Sequence, residues 1–188
     1  MPSRDAPVQY KVSLGRFILG VAKEHLPRHP RRVLLGHALK LIGWRLKGDA
    51  VECPVCRVTA SQFFHMFVFG GTVCPSCGAS SRARLQALFL KRELGIEHST
   101  ARVLHFAPEP GLSQMLSALP TVDYVPADLV PDKGHERVDA TAVHLDPAFT
   151  GVITSHVLQL IPNDAAAISE MHRILVAGGW ALVIVPVD

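Results

Sequence analysis

Four cysteines in two matched pairs constrain this chain more than any other feature. Cys53 and Cys56 form one C-x-x-C pair, Cys74 and Cys77 form the other, and the chain has no further cysteine. The 17 residues between the pairs match the spacing of a tetrathiolate zinc site, in which each short turn presents two sulfurs to one ion. The sequence therefore predicts structural zinc, since four protein ligands leave no open position for chemistry.

The segment between the two pairs predicts a β-hairpin. Residues 63–69, FFHMFVF, favour strands and end at a Gly-Gly pair, and Gly78 permits a positive φ after the second cysteine pair. Two knuckles separated by a hairpin make a zinc ribbon over residues 51–79. Disulfides are disfavoured because no secretion signal precedes the motif, and a redox site needs only one pair. His65 is interpreted as a strand residue, not a ligand.

The net charge of +3 is unevenly distributed along the chain. Ten basic and three acidic side chains give residues 1–50 a charge of +7, so the remainder carries −4. Such a basic segment predicts either an anionic partner or a solvated surface. Its apolar residues form two short helical stretches separated by Pro27 and Pro30. This pattern predicts basic amphipathic helices that lie on a membrane surface or pack on the rest of the protein.

No segment of the sequence resembles a membrane span or a secretory signal. The longest apolar candidate, residues 33–46, is interrupted by Lys40 and Arg45, whereas a span needs roughly 18 apolar residues. The first five residues lack the charged and apolar order of a signal peptide. A cytoplasmic location is therefore expected.

Residues 80–100 predict a helix that links the ribbon to the rest of the chain. The helix is expected over residues 82–94, with Ser80 or Ser81 as its N-cap and Gly95 after its end. Its apolar positions repeat at helical spacing and predict a face that packs on a sheet; they are Leu85, Leu88 and Phe89.

From residue 101 onward, predicted strands and helices alternate, which indicates an α/β domain with a parallel sheet over residues 101–188. In such sheets ligands bind at the carboxyl ends of the strands, so the strand–loop–helix junction at residues 103–111 is the expected site. The predicted strands are residues 102–107, 122–128, 138–141, 151–155 and 180–185, and the predicted helices are residues 112–119 and 163–175, the latter ended by Gly178 and Gly179.

This second half resembles the class I S-adenosylmethionine-dependent methyltransferases. Residues 156–164, HVLQLIPND, and 171–180, MHRILVAGGW, are similar to the family's "HVLEHVPD" and "LHRVLKPGGW" signature, and residues 105–111, HFAPEPG, align with its "DLGCGxG" loop. The ribbon resembles that of a bacterial subgroup in which "LHFAPEPG" replaces the glycine loop. The resemblance implies a Rossmann-like doubly wound, mostly parallel sheet of about five strands, preceded by the ribbon and the basic helices.

The resemblance also implies a cofactor site. Asp128 is expected to accept from the ribose hydroxyls, and Glu109 is expected either to pair with the ammonium group or to face solvent. His156 is expected as a general base or as a positioning group. The residues assigned to S-adenosylmethionine are His105, Ala107, Glu109, Gly111, Asp128, Leu129, Asp139, Ala140 and Ser155.

The loop departs from the family pattern in its glycines. Of three expected glycines only Gly111 is present, because Ala107 and Glu109 occupy the other two positions. Pro108 and Pro110 have no N–H group, so this loop donates less to an anion than a glycine loop does. The composition therefore favours a phosphate-free cofactor over a dinucleotide and speaks against an oxidoreductase.

The family's two usual strands after residues 180–185 are not in this sequence. The domain over residues 101–188 is therefore expected to be C-terminally incomplete, with an apolar edge strand. Such an edge predicts self-association or a cover formed by the N-terminal helices.

Two functions are expected from these features. The first is methyl transfer from S-adenosylmethionine to an unidentified oxygen, nitrogen or carbon acceptor. The alternative is an inactive or truncated methyltransferase-like module that binds nucleic acid or another anionic partner through the ribbon and residues 1–50. Against the alternative, residues 53–78 contain only Arg57 as a basic side chain.

Overall fold

The computed structural model of the protein describes residues 45–66, 71–131 and 134–186. The two basic helical stretches predicted before residue 45 lie outside these ranges. None of the helices in the described ranges is both long and apolar enough to span a membrane.

Within the described residues, nine strands and three α-helices follow one another along the chain. The strands are β1 (Val51–Glu52), β2 (Thr59–Ala60), β3 (Phe64–Met66), β4 (Gly71–Val73), β5 (Ala101–Phe106), β6 (Val122–Asp128), β7 (Glu136–Arg137), β8 (Phe149–Ser155) and β9 (Leu175–Ile184). The helices are α1 (Ser81–Arg92), α2 (Pro110–Ser117) and α3 (Asp164–Ile174), and a 3-10 turn covers Leu158–Leu160.

Five strands form one parallel sheet in the order β7-β6-β5-β8-β9. Numbered from β5 onward, this is the order 3-2-1-4-5 of a doubly wound fold. The first strand of the sheet, β5, is central. Strands β6 and β7 follow on one side of it, and β8 and β9 lie on the other side. The predicted Rossmann-like fold class is therefore confirmed.

Successive residues of β5 pack in two hydrophobic cores on opposite faces of the sheet. Val103 packs in a cluster with Leu112 of α2 and with the ribbon residue Cys53. Leu104 packs in the other cluster with Met171 of α3. Because successive side chains of a strand point to opposite faces, one central strand ties the ribbon and α3 to a common sheet.

Helix α1 begins where the sequence predicts, but it packs through a different face. Ser80 is the N-cap and accepts a hydrogen bond from the Ala83 backbone N–H at 3.0 Å. The predicted apolar face is wrong, because Leu85 and Phe89 are 63% and 42% exposed. The buried face combines two alanines, which allow a close approach to the body, with three longer side chains; it consists of Ala83, Arg84, Gln86, Ala87 and Leu90.

The junction of α3 and β9 also differs from the prediction. The helix ends at Ile174, and β9 begins at Leu175 without the expected Gly-Gly break between them. Instead, Gly178 takes a φ of 79° inside a register shift, and regular pairing resumes at Trp180. Trp180 pairs with Gly151 of β8. Position 151 requires glycine, since a Cβ there would lie 2.3 Å from the Trp180 ring. The two-residue β7 lies just before the predicted third strand.

Candidate functional site

The four cysteines gather into one cluster, as the spacing predicts. Their sulfurs all lie within 4.8 Å of one another, with Cys53 and Cys77 3.8 Å apart and Cys56 and Cys74 3.7 Å apart. A tetrahedral ion with bonds of about 2.3 Å to sulfur sets sulfur–sulfur distances near 3.8 Å, whereas a disulfide requires about 2.05 Å. The sulfurs therefore fit a tetrahedral metal ion, and none of them is bonded to another.

The two knuckles have the same backbone geometry. The backbone N–H of Arg57 donates to the Cys53 carbonyl at 2.8 Å, and that of Gly78 donates to the Cys74 carbonyl at 2.9 Å. Both residues have a positive φ, 62° at Arg57 and 72° at Gly78. Glycine adopts this conformation without strain, but arginine rarely does, so the first knuckle depends on its surroundings.

The cysteines of the cluster shift one another's ionisation in opposite directions, and hydrogen bonding with Cys53 and Cys77 lowers the pKa of Cys74. Hydrogen bonding with Cys74, together with burial, raises the pKa of Cys53 to about 11. Hydrogen bonding with Cys53 and Cys74 raises the pKa of Cys77. Thiols that remain protonated at neutral pH become thiolates when a divalent ion binds, and such an ion with four protein ligands acts structurally.

The ribbon is fastened to the loop between β5 and α2. Ser80 Oγ donates to one oxygen of the Glu109 carboxylate at 2.8 Å, and Arg82 Nε donates to the other at 2.6 Å. A Cβ on Gly111 would lie 2.9 Å from that of Ala79. Both residues were predicted to contact the cofactor. Instead, Glu109 holds the loop against the start of α1, and Gly111 packs it against the last residue of the ribbon.

Two strained residues mark the carboxyl edge of the sheet. Ala107 has a φ of 48° directly after β5, and His156 has a φ of 56° directly after β8. Ala107 is exposed. It occupies a position where the class I methyltransferases, which this half of the sequence resembles, have glycine. Non-glycine residues in this conformation are uncommon and concentrate at functional sites. This edge is therefore the candidate site of the α/β domain.

The register places three predicted cofactor residues in one row at this edge. Phe106 pairs with Ala127 of β6 and with Thr154 of β8, so Ala107, Asp128 and Ser155 follow in line. Parallel strands end together, so their terminal side chains share one edge.

The two predicted acids and their neighbours lie in turns. Asp128 Oδ1 accepts from the Val130 backbone N–H at 3.1 Å, and Leu129 is 58% exposed. Asp139 lies beyond β7, where hydrogen bonds from the Thr141 backbone and hydroxyl lower the pKa of its carboxyl group. Ala140 is buried in the core beneath α3. The fold thus brings Asp128 to the row and leaves Asp139 one strand further out.

A buried polar group lies under this row, on the face that carries α1 and α2. His105 is fully buried, and its Nδ1 is hydrogen-bonded to Tyr124 Oη at 3.0 Å. Burial, with a smaller effect of His135, lowers the pKa of His105 to about 3, so the imidazole is neutral at physiological pH. Gln86 Nε2 donates to Ser155 Oγ at 3.4 Å. Within the described ranges, His105 Nε2 and Gln86 Oε1 have no hydrogen-bond partner.

Gln86 was not among the predicted site residues. The sequence did contain a signal for it, because a glutamine stands between Ala83 and Ala87 on the helix face that is buried. Buried polar side chains normally have hydrogen-bond partners, and an unpaired one needs an explanation.

A cavity of about 590 Å³ lies at the opposite edge of the sheet, at the amino ends of β5 and β6. Its charged groups are paired, with Arg102 Nε 3.0 Å from Asp123 Oδ2. Because it lies at the amino ends of the strands, the cavity is remote from the row of predicted cofactor residues. Because Arg102 and Asp123 pair with each other, neither charge is left to recognise a ligand.

No protein-family model matches this chain, and no curated protein matches it. Among solved structures, a proposed methyltransferase from Bacillus halodurans C-125 is similar, with 23% identity and a TM-score of 0.40. The match covers 50% of this chain and spans about half, 49%, of that protein. The parallel sheet is consistent with the methyltransferase-like fold that the sequence resemblance implies. The strand order by itself establishes the Rossmann-like doubly wound fold.

Proposed function

We propose that the protein is an S-adenosylmethionine-dependent methyltransferase that acts on an unidentified acceptor. The observation that carries this proposal is the row of Ala107, Asp128 and Ser155 at the carboxyl edge of a 3-2-1-4-5 sheet. A carboxylate at the end of the second strand suits ribose hydroxyls, and the proline-bearing loop beside it has few N–H groups for a phosphate. This combination favours a nucleoside cofactor without phosphates.

The amino-acid end of the cofactor is assigned to Gln86 and His105, because Glu109 is already paired with Ser80 and Arg82. Gln86 Oε1 can accept from the ammonium group. A neutral His105 that accepts from Tyr124 through Nδ1 carries its proton on Nε2, which can donate to the carboxylate. Each unpaired buried polar atom costs about 1–3 kcal/mol, and a zwitterion bound here would recover that cost.

When bound, S-adenosylmethionine supplies an activated methyl group for in-line displacement. The protein's contribution is mainly to position the two reactants, so a strong catalytic base need not be present. His156 lies at the end of β8 and is half-buried, and its side chain is the proposed acceptor for a proton that leaves the methylated group.

The four-cysteine cluster is proposed to hold Zn²⁺ in a structural role. Tetrahedral coordination by four thiolates is characteristic of structural zinc, and the sulfur separations fit it. Metal analysis of gently purified protein tests this assignment. One equivalent of zinc is expected, and a preparation that is folded without metal would contradict it.

Calorimetric titration with S-adenosylhomocysteine tests the proposed function. The folded, zinc-loaded protein is expected to bind it, and Asp128→Ala and Gln86→Leu are each expected to weaken binding by about tenfold or more, because hydrogen bonds to charged or multiple groups are lost. Gln114→Leu, an exposed glutamine on α2, is the matched control and should bind as the wild type does. A folded wild-type protein that does not bind would overturn the proposal.

The alternative function, binding of an anionic partner through the ribbon, has less support. Arg57, the basic side chain of residues 53–78, donates to both oxygens of Glu97 at 3.3 Å and so belongs to the docking of the ribbon. Residues 1–50 stay a predicted surface for nucleic acid or membrane. Self-association through β9 at the sheet edge also stays a prediction.

A further inference from the structure

Arg84 of α1 is a buried cation without a carboxylate partner in the described part of the chain. The residue is only 8% exposed, although arginine is rarely buried unless it is paired. Its guanidinium donates to the Ala79 carbonyl at 2.9 Å and to the carbonyl and hydroxyl of Thr72 at 3.0 and 2.7 Å. It also lies over the Phe63 ring, 3.8 Å from the centroid. All of these partners are neutral.

Neutral partners satisfy the hydrogen bonds of a buried guanidinium but leave its charge uncompensated. Removing a charge from water costs several kcal/mol, and an aromatic ring recovers less of this cost than a nearby opposite charge does. The other arginine of this part of α1, Arg82, has such a partner in Glu109. Among the residues that the structure describes, no carboxylate takes the equivalent place beside Arg84.

Arg84 lies beside the second cysteine pair, because its two backbone acceptors, Thr72 and Ala79, directly flank the segment from Val73 to Gly78 that contains Cys74 and Cys77. Burial lowers the pKa of Arg84, and Cys53, Cys74 and Cys77 raise it. Four thiolates around one divalent ion carry a net charge of −2. Neutral thiols or disulfides would carry no charge, and the buried cation would then have no counterion.

We infer that Arg84 is the electrostatic counterion of the four-cysteine metal centre, so that its charge strengthens binding of a divalent metal ion. Arg84 lies on the helix whose N-cap, Ser80, holds the loop after β5, and it reaches into the ribbon through Thr72 and Ala79. The same side chain thus couples the charge of the metal centre to the docking of the ribbon. This inference depends on the metal site and is independent of the proposed methyl transfer.

Competition for Zn²⁺ with a chromophoric chelator tests the inference on the full chain. Arg84→Met, which removes the charge and keeps the length of the side chain, is expected to lower zinc affinity by about tenfold or more, the usual effect of losing an outer partner of a metal site. Arg84→Lys keeps the charge but loses the forked hydrogen bonds, and it should retain most of the affinity. Arg92→Met, an exposed position at the end of the same helix, is the control and should bind zinc as the wild type does.

The outcomes separate charge from simple packing. If Arg84→Met and Arg84→Lys weaken zinc binding equally, the hydrogen bonds alone matter and the inference is overturned. It is also overturned if Arg84→Met binds zinc with unchanged affinity. If the variants fold poorly, the free energy of unfolding is measured with and without Zn²⁺. The inference requires Arg84→Met to lower this free energy more in the zinc-loaded protein than in the metal-free protein. A wild-type protein that binds no zinc would instead reject the metal site itself.

Discussion

At the scale of single residues, the neutral buried His105 should make stability depend on pH. Its pKa is about 3 in the folded protein and about 6.5 when unfolded, so the unfolded chain binds more protons between these values. Stability is then fully present above pH 6.5 and falls as the pH decreases toward 3. Between pH 7 and 5.5 this residue should account for a loss of about 1 kcal/mol.

Urea unfolding of the wild type and of His105→Gln at these two pH values measures this contribution. Both proteins carry the same four-cysteine cluster, so the difference between them isolates residue 105. The wild type should lose about 1 kcal/mol more than the variant does, as the linkage relation requires. Equal losses would show that His105 is protonated normally in the folded state.

At the scale of elements, the contact between α2 and the ribbon determines what residue 111 can be. Helix propensity alone favours alanine over glycine by about 1 kcal/mol in a helix. At Gly111, however, the new Cβ would lie 2.9 Å from Ala79 Cβ and 3.1 Å from Ala79 Cα. Overpacking of this kind typically costs about 1–3 kcal/mol, so Gly111→Ala should destabilise the protein.

A double-mutant cycle checks the origin of that effect. Ala79→Gly removes the nearer of the two clashing atoms, and in the Gly111→Ala background it should restore part of the lost free energy of unfolding. Residues in direct contact show such coupling, whereas distant ones are additive. Additive effects, or a stabilising Gly111→Ala, would mean that α2 and the ribbon are not packed at this point.

At the scale of the whole molecule, metal removal should weaken the α/β body as well as the ribbon. One hydrophobic cluster runs from Cys53 and Cys74 through α1 and α2 to the sheet, and Trp180 of β9 packs against it. Loss of ~3 kcal/mol would lower the melting temperature of a protein of this size by about 10 °C. We expect at least this decrease after treatment with a zinc chelator.

Fluorescence of Trp180 reports on the body directly. In a Trp44→Phe background it is the remaining tryptophan of the chain. Its emission should shift to longer wavelength in the same transition in which the metal is lost, and adding Zn²⁺ back should reverse the shift. An emission that stays constant while the ribbon loses its metal would indicate two independent folding units.

Much of the fold could be predicted because its signals are local. The C-x-x-C spacing, the apolar runs of β5, β6 and β8, and the Ser80 cap each depend on residues a few positions apart, and the structure has them where the sequence predicts. The end of α3 was less predictable, because Gly178 and Gly179 serve a register shift inside β9 and do not end the helix.

The sequence by itself determined the clustering of the four cysteines and most strands of the parallel sheet, since spacing and periodicity encode these features. Only the tertiary structure decided how the ribbon meets the carboxyl edge of the sheet. It paired Glu109 with Ser80, 29 residues away, and placed Gln86 against Ser155, 69 residues away. It also buried Arg84 against Thr72 and Ala79, which flank the second cysteine pair. Pairings across such separations depend on which surfaces pack together, and no local pattern in the chain specifies that choice.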